Sequence, residues 1–139
     1  MEHEIDELLS NRFAASLAYV SVTVLALLVF LYFFEFVTRY KCWQEIKRGN
    51  MAVAMATGGK IFGICNLFRF SIEASEGVYH SLVWATYGFG LLIAAYFLFE
   101  FLTPVFRIDE EIEKDNRAVG FIAMVISISL SYVIGATVV

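Results

Sequence analysis

Charge is scarce in this sequence, and so is nearly everything that breaks or solvates a chain. Only 17% of the residues are charged, against 60% hydrophobic and 17% aromatic, and a single proline, Pro104, interrupts 139 residues. Soluble domains carry about 25% charged residues, so little here is available to cover a body facing water. The few basic residues lie in short segments beside apolar runs and form no patch of the kind nucleic acids require. Cysteine is equally thin: Cys42 falls in a connection and Cys65 deep in an apolar run, a placement that argues against a disulfide. There is no C-x-x-C, and His3 and His80 stand apart from other ligands, so no metal is expected. The chain also lacks a Walker loop, an H-E-x-x-H and a G-x-S-x-G elbow, which leaves catalysis without support and calls for no cofactor. Residues 1–12 are acidic where a secretory signal would be basic, and read as a retained polar segment forming a short interfacial helix.

What fills the chain instead is four apolar runs, 13–36, 51–72, 82–102 and 118–139. Each exceeds the ~20 residues that carry a helix across ~30 Å of hydrocarbon at ~1.5 Å per residue. The connections are short, so neighbouring helices run antiparallel, and the chain reads as one all-α membrane domain over 1–139 with four transmembrane helices. Lysine and arginine gather in two connections: Arg39, Lys41, Lys47 and Arg48 in 37–50, and Arg107, Lys114 and Arg117 in 103–117. On the other side only Arg12 lies clearly outside a span, and the middle connection is acidic, with Glu73 and Glu76. The positive-inside rule therefore makes both basic connections cytoplasmic and both termini outward-facing.

The two halves repeat one another. Phe34-Glu35-Phe36-Val37-Thr38, Glu45-Ile46 and Gly49-Asn50 with the next four residues return as Phe99-Glu100-Phe101-Leu102-Thr103, Glu111-Ile112 and Asp115-Asn116 with the next four, offset by 65 positions and then by 66. The pattern implies two parallel two-helix repeats, about 13–72 and 82–139, related by an axis along the membrane normal. Asn50 and Asn116 each immediately precede a span and are expected to cap it. Pro104 ends the third helix, where the first half has Arg39. Residues 43–48 suit a short surface helix with Trp43 at headgroup level, while the more acidic counterpart, 109–115, reads as a solvated charged turn.

Lys60 is the outlier. Nine residues into the second run, it lies ~13–14 Å along the helix, near the bilayer centre, where a lysine costs ~2.5–3.5 kcal/mol. Cα–Cβ bonds tilt toward a helix N-terminus, so Lys60 leans toward the cytoplasm while Glu35 and Glu100 lean inward. An intramembrane cluster of Lys60, Glu35 and Glu100 follows, either as a buried ion pair locking the bundle or as a proton- or ion-coupled site. The symmetry is incomplete, because the position matching Lys60 in the second half is Ile126. Arg69, ~27 Å along its helix, reaches the outer interface and is expected to pair with Glu73 or Glu76. Small residues mark packing faces: Gly59 and Gly63 in a G-x-x-x-G step, and Ala123, Ser127, Ser131 and Gly135 at four-residue spacing. Such a stripe suggests a homo-oligomer. Phe30, Phe33, Phe34, Phe97 and Phe99 read as lipid-facing or packing residues.

The repeated segments resemble the YjfL-like family, duplicated four-span bacterial inner-membrane proteins of unknown function. The resemblance rests on 45–54, 99–104 and 111–120, and the span layout extends it over nearly the whole chain. Arg39 and Asp115 stand where the pattern has proline and glycine. The resemblance implies an accessory membrane protein, in a family sometimes encoded beside envelope-stress proteins and polyamine-related enzymes, and supplies no catalytic or ligand residue. The expected function is therefore a non-enzymatic, oligomeric component of the bacterial plasma membrane, in contact with the lipid bilayer and with a cytoplasmic protein partner at the charged loops. The alternative is a channel or transporter for a small cation, a proton or a polyamine.

Overall fold

The computed structural model describes residues 2–38, 40–74, 77–102 and 107–138. Within them the chain forms α1 Glu2–Leu9, α2 Arg12–Val37, α3 Cys42–Lys47, α4 Met51–Ala74, α5 Val78–Leu102, α6 Ile108–Glu113 and α7 Arg117–Val138. Four of these, α2, α4, α5 and α7, are long and apolar enough to cross a membrane. The chain is an all-α, multi-pass membrane protein. Pro104, Arg39 and Glu76 lie outside the described residues.

Local chemistry sets the helix ends. α2 starts after Asn11, whose side chain accepts from the Phe13 amide at 3.1 Å, and stops at Thr38, whose amide still reaches the Phe34 carbonyl. α5 begins four residues before its apolar run. Its early polar residue Ser81 is buried and donates to the Gly77 carbonyl at 3.0 Å, so the start costs no unpaired hydroxyl.

α4 has the lowest mean hydropathy of the four spans and is the most buried. In lipid, apolar side chains gain little by hiding, whereas polar ones must be hidden. Thr57, Lys60, Asn66 and Ser71 therefore draw α4 to the middle of the bundle, against α2, α5 and α7. On one side Phe30 of α2 stacks on Phe89 of α5 with centroids 4.2 Å apart, and Phe34 meets the same ring edge-on. Ala26, Ile64, Phe68 and Ala85 complete that cluster.

On the other side α4 lies parallel to α7, its most extensive neighbour. A β-carbon on Gly120 would stand 2.6 Å from the Ala52 Cα, and one on Gly59 would stand 2.7 Å from the Met124 Cα. Gly63 faces Ser127 and Ser131, Gly135 meets the Phe70 ring, and Asn66 donates to the Ser131 hydroxyl at 3.0 Å. Ala123 packs on the cluster holding Ala52, Val53 and Ala56. The small-residue stripe is thus occupied within the chain. The homo-oligomer expected from it loses that footing, because the close approach it permits is already made between α4 and α7.

Candidate functional site

Lys60 is 2% exposed and sits beneath aromatic rings. Its Nζ is 4.6 Å from the centroid of Phe34, 5.3 Å from that of Tyr96 and 5.6 Å from that of Tyr40, all within cation–π range. It also lies 3.5 Å from the Tyr40 hydroxyl. Tyr40 is hydrogen-bonded to Tyr96, and the Tyr96 hydroxyl donates to the Asp109 carboxylate. An ammonium only donates and a carboxylate only accepts, so the two hydroxyls between them pass one donor direction from Lys60 to Asp109. Burial, and after it the Asp109 charge, push the Tyr40 hydroxyl far above the usual phenol range, which keeps it protonated. Five segments meet here: α2 brings Phe34, the turn after it Tyr40, α4 Lys60, α5 Tyr96 and α6 Asp109.

This arrangement corrects two expectations. Among the described residues Lys60 has no ion pair with Glu35 or Glu100. Phe34 takes the face of α2 turned to α4, and Glu35, about 100° further round the helix, opens into a shallow depression with Tyr32, Phe36 and Lys41. Glu100 is half-buried on α5, one turn beyond Tyr96. The acidic connection is also no solvated turn throughout. Asp109 is 3% exposed, and Ile108 and Ile112 on the same face of α6 are buried with it.

The two connections carry the same hydrogen bonds at an offset of 66 residues. Asn50 and Asn116 each return their amide to the carbonyl of Glu45 or Glu111 and their side-chain nitrogen to that glutamate's carboxylate. Each then accepts from a first-turn amide, that of Val53 at 3.0 Å or of Val119 at 3.4 Å. Gly49 and Asp115, just before them, share the left-handed conformation, with φ of 86° and 63°. The connections also interlock: Asn50 donates to the carbonyls of Ile112 and Glu113, and Asp115 accepts from the Ala52 amide at 3.0 Å. Asp115 therefore gives α4 a second cap from the other half, which a glycine has no side chain to do. Asp115→Ala should lower stability by about 1–2 kcal/mol, the range for a lost cap. Asp115→Gly should lose less, since glycine relieves the positive φ. Denaturant unfolding in detergent checks both: equal losses would count against strain at the positive φ, and no loss in Asp115→Ala would count against the cap.

The remaining expected positions are spread along the bundle. Arg69 pairs with Glu73 at 3.3 Å and lies over the Phe70 ring, with both charged groups largely exposed. Trp43 is exposed on α3, Cys42 and Cys65 are both free, and no three potential ligands gather into a metal site among the described residues. Reading the sequence missed Tyr40, Tyr96 and Asp109. A signal was present for two of them, in the mismatches between halves: Tyr96 stands opposite Leu31 and Asp109 opposite Trp43, just as Lys60 stands opposite Ile126. These three, among the many positions at which the halves differ, converge on this one cluster.

Comparison with known proteins places these features in a family. The model of DUF350, a Domain of Unknown Function, matches residues 7–138. The UPF0719 transmembrane protein YshE of Bacillus subtilis (strain 168) is 56% identical over 126 residues, covering 91% of this chain and 94% of the relative. No solved structure matches the chain. With the match running from α1 to the end of α7, the chain belongs to the DUF350 family.

Proposed function

We propose that this chain is a non-enzymatic, oligomeric scaffold subunit of a bacterial plasma membrane, built from a duplicated two-helix unit with its α3 and α6 end in the cytoplasm. The observation that carries this reading is the closure of Lys60. A translocation site must admit water or substrate to its charge, whereas here three rings and the Tyr40 hydroxyl enclose the ammonium. A cluster drawn from five segments suits a lock on the bundle better than a passage through it. The bonds recurring at an offset of 66 residues support duplication, and the basic residues Lys47, Arg48, Arg107, Lys114 and Arg117 support the orientation. Exposed Trp43, Lys47 and Arg48 on one connection, with Glu113 and Lys114 on the other, offer surfaces to lipid headgroups and to a cytoplasmic protein. An envelope-stress setting, and the narrower YjfL-like likeness, rest on resemblance alone.

The rival reading, transport of a proton, a cation or a polyamine, draws on the donor chain from Lys60 to Asp109, which links membrane depth to the loop. Flux into proteoliposomes separates the two. Wild type and Lys60→Met should both match empty vesicles under proton, potassium and polyamine gradients. A wild-type flux that Lys60→Met abolishes would overturn the scaffold reading.

A further inference from the structure

An apolar groove of about 280 Å³ runs between α5, α6 and α7, lined by residues that include Leu92, Ile108, Val119, Ile126 and Leu130. The matching positions of the first half, Leu27, Cys42, Val53, Lys60 and Ile64, are spread over α2, α3 and α4, and Leu27, Lys60 and Ile64 follow the seam between α2 and α4. Between α2 and α4 that seam is closed: Ile64 is fully buried, while its counterpart Leu130 is only half-buried. What closes it is α5, which lays Leu82, Ala85, Phe89 and Ile93 into the cluster formed with α2 and α4. Ala85 and Phe89 are 1% and 5% exposed there.

The counterparts of those four residues on α2 are Leu17, Val20, Val24 and Leu28. They form one stripe at helical spacing, and none of the described residues covers it: their exposures are 70%, 58%, 48% and 57%. The molecule thus carries an open copy of a seam it closes elsewhere, and an unused copy of the helix face that closes it. α2 and α5 run in the same direction, so a rotation about the membrane normal brings one into the role of the other. We propose that α2 of a second copy enters the α5–α7 groove through the Leu17, Val20, Val24 and Leu28 stripe, joining copies head to tail. Such a contact is heterologous, so it propagates until a ring closes or a row extends in the bilayer plane. Between apolar surfaces in lipid the gain comes from packing shape, and the seam between α2, α4 and α5 shows that shape satisfied within one chain.

This interface rests on the oligomeric reading above. Cysteine cross-linking in native membranes, in a Cys42→Ala/Cys65→Ala background, tests it. Phe89 and Ile64 belong to one cluster within the chain, and their counterparts across the new contact are Val24 and Leu130. Val24→Cys with Leu130→Cys in one chain should give an oxidative ladder of dimers, trimers and higher species, whereas mixed single variants should give dimers only. Val29→Cys, exposed away from the stripe, should stay monomeric with Leu130→Cys. A dimer from Val24→Cys alone would overturn the head-to-tail interface and leave an oligomer standing. No cross-link from folded protein, with a fluorophore on Leu130→Cys quenched by spin-labelled lipid and a monomer mass in nanodiscs, would assign the groove to lipid and overturn both readings.

Discussion

Gly120→Ala is expected to lower stability by about 2–3 kcal/mol, while Gly58→Ala should be neutral or raise it by up to about 1 kcal/mol. Both substitutions add one methyl to a membrane helix, and helix propensity favours alanine in each. Their surroundings decide the sign. At Gly120 the new carbon would meet the Ala52 Cα at 2.6 Å and its carbonyl oxygen at 2.7 Å, and backbone cannot swing aside as the end of a flexible side chain does. Relief requires α7 to move away from α4 along the contact that also holds Gly59, Gly63 and the Asn66–Ser131 hydrogen bond. At Gly58 nothing lies within 4 Å. Thermal unfolding in detergent reads both, and equal effects would mean that α4 and α7 do not approach as closely as described.

Asp109→Ala should cost about 3–5 kcal/mol, because it leaves the buried Lys60 charge and the Tyr96 hydroxyl uncompensated. The Tyr96 hydroxyl would lose its acceptor, and Lys60, enclosed by rings at 2% exposure, has no route to water. The informative variant is the double one. Lys60→Met/Asp109→Ala should recover much of that loss, because methionine fills a similar volume without a charge to hide. Two substitutions together should therefore be less harmful than Asp109→Ala alone. A double-mutant cycle by denaturant unfolding measures the coupling. Additive losses would show that the chain from Lys60 through Tyr40 and Tyr96 does not end energetically at Asp109.

Much of the architecture was legible before any contact was known. Run length against bilayer thickness is a nearly one-dimensional test, and α2, α4, α5 and α7 fall within a few residues of the runs read from composition. The left-handed turn before each asparagine was also within reach, since Gly49 and Asp115 occupy the same place in the repeated segment. The partner of Lys60 was not. Depth along a helix is additive in residues, so Lys60 reads as lying near the bilayer centre with Glu35 and Glu100 shallower, but which face each presents depends on how the helices rotate against one another. Phe34 and Glu35 are neighbours in the chain, and one lies against the ammonium while the other opens outward.

The same distinction governs the stripe of small residues. Its spacing announces a close helix contact, yet spacing carries no information about whether the partner is in the same chain. Tertiary structure assigned that contact to α4 and left a different surface, the α5–α7 groove, open. The sequence by itself determined the four spans, the doubled motif and a lysine too deep to stand alone, because these follow from composition, length and local backbone preference. Only the folded bundle decided that aromatic rings and a distant aspartate, and neither repeated glutamate, answer that lysine, because the choice lies in helix rotation, which no single strand of periodicity encodes.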